Sequence, residues 1–166
     1  MKPEWSADWA WGLPLTALTL AIHGAAITGL AALLTRAGTA VESRRPGRTS
    51  MTLIVAATVG VLGGALAILH GLDAAVWAAA YLLIGAVSTP GDAMLYSVDS
   101  ITARGASGLQ LQPHWKMMGA LESVGGLLLF GISTAFLASV MIDVRSLQSR
   151  LAQRPKLELT DSDMDP

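Results

Sequence analysis

The sequence predicts an all-α membrane protein: three transmembrane helices, with a short helix and an irregular loop re-entering between the second and third. Three observations carry this. Charged side chains make up 14% of the 166 residues and are excluded from three long runs. Trp9 to Thr35 contains only His23 among ionisable groups, Thr49 to Leu69 contains none, and Met117 to Ile142 contains only Glu122. Each run reaches the ~20 apolar residues needed to cross a hydrocarbon core about 30 Å thick. The runs are apolar on all sides, whereas a soluble helix keeps a polar stripe. Finally, the basic residues cluster just beyond the ends of the first and third runs, as they do on the cytoplasmic side of a membrane.

The first span follows "MKPEWSADWAW", a slightly acidic start. A cleaved secretory signal would begin with basic residues and have a shorter apolar region, so a retained helix is expected. The loop after it carries Arg36, Arg44, Arg45 and Arg48 against Glu42 alone. Beyond the third span lie Arg145, Arg150, Arg154 and Lys156. Both clusters are cytoplasmic if the N-terminus is outside and the C-terminus inside. Trp5, Trp9, Trp11, Trp77 and Trp115 then fall at or beyond the outer interface, where amphipathic rings are favoured.

After the second span, Ala74 to Ser88 is apolar but would rise only about 22 Å as a helix, too short to cross. It is expected on the outer half, either extending helix two or bending as a collar. Thr89 to Lys116 is then an outward-facing connection. Pro90 and Asp92 are start signals for a short helix, and Met94, Leu95, Val98 and Ile101 recur at helical spacing. The polar stretch "SITARGASGLQL" follows, Ser100 to Leu111. Irregular backbone at membrane depth is tolerated only inside protein or beside a watery cavity, the setting of a pore loop. In the spans, Ala56, Gly60 and Gly64, and again Gly131, Ala135 and Ser139, form small-xxx-small rows that permit close helix contact. The tail continues helix three briefly, with Leu147 and Leu151 on one face, and becomes acidic after Pro155, where no regular structure is expected. The chain thus divides into residues 1–48 (first helix and basic loop), 49–143 (pore-like module) and 144–166 (cytoplasmic tail, partly disordered).

"DAMLYSVDSIT", a short loop, and "WKMMGALESVGGLLLFGISTAFLASV" together resemble the pore region of bacterial two-helix-pore potassium channels. There an alanine-leucine-tyrosine-phenylalanine-serine pore helix leads into a TVGYGD filter. The likeness extends to His70, Asp73, Trp77, Ala78 and Tyr81 before the pore helix, and to Glu122, Gly125, Gly131, Ser133, Thr134 and Ala135 in the inner helix. It covers roughly residues 50 to 142. Anchored by Tyr96, Ser97 and Trp115, an ungapped alignment sets Ala103, Arg104, Gly105, Ala106, Ser107 and Gly108 on T-V-G-Y-G-D, directly after Thr102. The resemblance implies a re-entrant pore helix and filter-like loop, an inorganic cation as partner and a homo-tetramer; a hetero-oligomer with other channel subunits is the alternative.

The filter chemistry departs from that family. A potassium filter replaces the ion's water with rings of backbone carbonyls, and glycine adopts the left-handed conformations this requires. Only one of the filter glycines is kept. Four copies of Arg104 near an ion path would repel cations. The sequence therefore predicts a channel-like membrane protein with altered or lost potassium selectivity, or a non-conducting structural or regulatory subunit. Asp99 can offset Arg104 by pairing with it, within a subunit or across a boundary; otherwise each faces water. Glu122 either holds the loop by accepting a hydrogen bond from the pore helix or lines a water path. His23 reads as a helix-packing donor rather than a proton relay. His70, Asp73 and His114 match no metal-ligand spacing, so no metal or cofactor is expected. No nucleophile–base motif appears, so no catalytic residue and no enzyme activity is expected. Net charge of −1 argues against nucleic acid, and there is no cysteine. The expected location is a bacterial inner membrane, with the lipid bilayer as partner.

Overall fold

A computed structural model of the protein describes residues 6–44, 48–105 and 108–162. The described chain is helical: α1 (Ser6–Arg44), α2 (Arg48–Leu83), α3 (Pro90–Ile101), a single 3-10 turn (Pro113–Trp115) and α4 (Lys116–Ser162). The three long helices are each long and apolar enough to cross a membrane, over Ser6–Ser43, Ser50–Leu83 and Pro113–Arg150. Their lengths of roughly 58, 54 and 70 Å exceed the hydrocarbon thickness.

The distribution of side chains is the reverse of a soluble domain. Val61, Ile68 and Leu127 are exposed, while Asp8, His23, Asp73, Asp99 and Glu122 are buried. Carboxylates and imidazoles inside with aliphatic side chains outside is the arrangement that lipid, not water, stabilises. The protein is accordingly an integral membrane protein.

Helix two settles one open alternative. Ala74 to Leu83 continues α2 without a break. The helix ends by two backbone bonds, Gly85 N–H to Leu82 O at 3.1 Å and Ala86 N–H to Tyr81 O at 2.9 Å. Gly85 sits between them at φ +70, the left-handed residue of a Schellman cap, where glycine meets no Cβ penalty. The tail differs from expectation: α4 runs to Ser162, through the segment that composition leaves without regular structure.

The chain forms two compact units. Met1–Ile27 and Ala65–Ser133 make the first; Thr28–Gly64 and Thr134–Pro166 make the second. The second contains a cavity of about 460 Å³ lined by apolar residues such as Ile54, Val55 and Phe136, with Glu42, Asp143 and Arg150 among the polar ones. The first contains α3, the loop after it and the buried ionisable residues Asp8, His23, Asp73, Asp99 and Glu122. Its core joins Trp77, Tyr81, Ala86, Tyr96, Leu111 and Met118, with a second cluster of Ala74, Ile101 and Leu129.

Two faces of α4 organise this unit. Gly119 and Gly126, seven residues apart, receive α3. A Cβ on Gly119 would lie 2.1 Å from the Tyr96 hydroxyl, and one on Gly126 only 2.0 Å from the Ile101 carbonyl oxygen. The adjacent face receives α1: a Cβ on Gly12 would lie 2.4 Å from the Leu121 side chain, and one on Gly125 3.4 Å from Thr16. Asp8 of α1 completes that contact by accepting a hydrogen bond from Met118 N–H at 3.1 Å. That amide is in the first turn of α4 and has no intrahelical acceptor, so a carboxylate there satisfies it and complements the helix dipole.

Candidate functional site

Residues 89–112 build the loop region from its two caps. Thr89 Oγ1 accepts from Asp92 N–H at 3.1 Å and Pro90 occupies the first turn, so α3 begins where the start signals place it. At the other end, Ala103 N–H donates to Ser100 O at 2.9 Å and Arg104 N–H to Asp99 O at 3.0 Å. This is the same double-bonded cap that ends α2. Here, however, the left-handed position is filled by Ala103, at φ +53. Thr102, Ala103 and Arg104 are thereby folded back onto α3. Gly105 and Gly108 both take φ +83; Ala106 and Ser107 lie outside the described residues. The chain returns through Leu111, which is buried, and Gln112, whose amide donates to Gly85 O at 3.0 Å.

Arg104 forms an ion pair with Asp99 of its own chain. The carboxylate is buried and the guanidinium is 64% exposed. The two sequence-based alternatives are therefore combined in one arrangement: Arg104 reaches solvent, yet its Nη2 covers the carboxylate. Its charge also stands at the C-terminal end of α3, where a cation complements the helix dipole.

Behind the loop lies Glu122, fully buried on the α4 face between Gly119 and Gly126. It accepts a hydrogen bond from Tyr81 Oη of α2 at 2.7 Å and contacts Ser97 Oγ of α3. Ser97 Oγ also donates to Ala74 O of α2 at 2.7 Å. Of the two roles open to Glu122 in the sequence, the geometry is that of a tie: one carboxyl group joins α2, α3 and α4. One hydroxyl hydrogen cannot serve both Ala74 O and Glu122, so the two Ser97 contacts are satisfied together when the carboxyl group itself carries a proton.

A second polar cluster was not legible as such in the sequence. His23 of α1 reaches Asp73 Oδ2 of α2 through Nδ1 at 2.7 Å and Ser133 Oγ of α4 through Nε2 at 2.8 Å. His70 Nε2 lies 3.3 Å from the same Ser133 oxygen. His23 and Asp73 are completely buried, and His70 stacks on Phe130 at 4.3 Å between ring centres. The partners stand 50 and 110 residues from His23, so no local spacing could reveal them. His23 does pack helices, and more specifically than a lone donor would. His114, which sequence reading grouped with His70 and Asp73, instead stands in the 3-10 turn beside Trp115.

The order Asp73–His23–Ser133 has the connectivity of a hydrolytic triad. Ser133, however, is inside α4, where backbone N–H groups are taken by the helix.

No protein-family model, curated protein or solved structure matches the chain.

Proposed function

We propose that the chain is a pore-loop membrane protein of the potassium-channel type in which the loop no longer selects potassium. The observation that carries this reading is the anchoring of α3. A twelve-residue helix between two long apolar helices is bound from behind by Glu122 and Gly126, leaving residues 102–105 and 108–110 at the surface. That is what a re-entrant pore helix requires, because its polar backbone must be enclosed by protein.

The loop chemistry supports loss of selectivity. Ala103 and Arg104, which align with the start of a filter, have their amides turned back into the α3 cap. In the alignment with a filter, a guanidinium falls at a position where a carbonyl ring would be needed to replace the water of a cation. Asp99 retains that guanidinium by pairing with it. These features favour a non-conducting structural or regulatory subunit over a channel of altered selectivity. In this reading the N-terminus is outside, the tail is cytoplasmic, and copies assemble around an axis, as homo-tetramers or with other channel subunits.

Flux from liposomes containing the purified protein tests it. With potassium inside, wild type is expected to show no release beyond protein-free liposomes. Equal potassium and sodium release would instead assign a channel of altered selectivity. Potassium release exceeding sodium release tenfold or more would overturn the reading.

A further inference from the structure

We propose that His23, His70 and Asp73 form a binding site for one divalent transition-metal ion of the zinc class, independent of what the loop does. The ligand atoms offered by these three side chains all lie within 4.8 Å of one another. They come from two helices of the same compact unit, α1 and α2, so the packing that builds the unit also builds the site. Zinc binds imidazole and carboxylate at about 2.0–2.2 Å, which sets tetrahedral ligand atoms roughly 3.4 Å apart. The His23–Asp73 contact, 2.7 Å, is tighter than that spacing and would widen around an ion.

Two further observations point to a cation. Asp73 Oδ1 and His70 Nδ1 are buried and have no hydrogen-bond partner. Polar atoms in this state are costly in a low-dielectric interior, and a carboxylate oxygen most of all. A cation between Asp73 and the two imidazoles gives both atoms a partner and so removes that cost. Two imidazoles with one carboxylate select a borderline metal such as zinc over magnesium or calcium, which take oxygen ligands. Ser133 Oγ already stands within hydrogen-bond distance of both histidines. It holds the Nε2 edges of both rings, opposite the His23 Nδ1 edge that faces Asp73, so a water completes the set on the Asp73 side.

The test uses the full-length protein in detergent, stripped with chelator and titrated with Co²⁺ and then Zn²⁺. Wild type is expected to take up one equivalent of Co²⁺, with a tetrahedral ligand-field band that one equivalent of Zn²⁺ abolishes. His23→Ala, His70→Ala and Asp73→Ala are each expected to weaken binding by about 100-fold or more, beyond the 10–100-fold typical of outer-shell partners. His114→Ala should bind as wild type does, and Ser133→Ala should retain the metal. Absence of the band in wild type overturns the proposal regardless of how any variant folds. So does a band that persists in His23→Ala and His70→Ala, or one lost in His114→Ala.

Discussion

Ala103 shows how much a single backbone position can carry. Both α2 and α3 end in the same doubly hydrogen-bonded cap, yet α2 uses Gly85 at the left-handed position and α3 uses an alanine. For a residue with a Cβ that conformation costs roughly 1–2 kcal/mol, and for glycine nearly nothing. Ala103→Gly is therefore expected to stabilise the protein by about 1 kcal/mol, and Gly85→Ala to destabilise it by a similar amount. Thermal unfolding in detergent reads both, and a lower midpoint for Ala103→Gly would show that the cap does not form. Nothing in the residue pattern marks this cap, since Ala103 stands out only by its place in the alignment. The Asp99–Arg104 pair was within reach, because five residues across a helix end bring the two side chains together. The His23 cluster was not, because residues 50 and 110 apart meet only once the helices are packed.

At the level of elements, the glycines that sequence patterning favours are not those that hold helices together within the chain. Gly60, Gly64 and Gly131, taken from the small-xxx-small rows, have nothing within 4 Å of an added Cβ. Gly119 and Gly126 have a tyrosine hydroxyl and a backbone carbonyl at about van der Waals overlap. A four-residue spacing marks a face that could accept a helix, but it does not say which face is used. The seven-residue spacing of Gly119 and Gly126 was hidden in a segment where Gly125 also competes for attention. Gly126→Ala must therefore displace the C-terminal end of α3, and a loss of about 3 kcal/mol is expected, the upper end for overpacking. Gly60→Ala adds a methyl group to open space and gains helix propensity, so its unfolding midpoint should stay level or rise. Equal losses in the two variants would mean that α3 does not dock on α4 as described.

For the whole molecule, the three spanning helices were readable because charge exclusion over twenty or more residues is a demand lipid makes of any sequence. The fate of Ala74 to Ser88 was not, since fifteen apolar residues suit a helix extension and a collar equally. The continuity of α2 to Leu83 removes the collar, and among the described residues it leaves three helices long and apolar enough to cross a membrane. If all three cross, the two basic regions are expected on one side and the 84–112 connection on the other. The absence of cysteine makes this directly measurable, because each introduced thiol is the only one present. Ser43, Gln110 and Ser146 are exposed. In intact cells, a membrane-impermeant maleimide is expected to label Gln110→Cys, and to label Ser43→Cys and Ser146→Cys only after lysis. Labelling of Ser146→Cys but not Ser43→Cys from outside would require an odd number of crossings between the two residues and would break the helix order described, whereas labelling of both would mean that the chain sits inverted in the membrane.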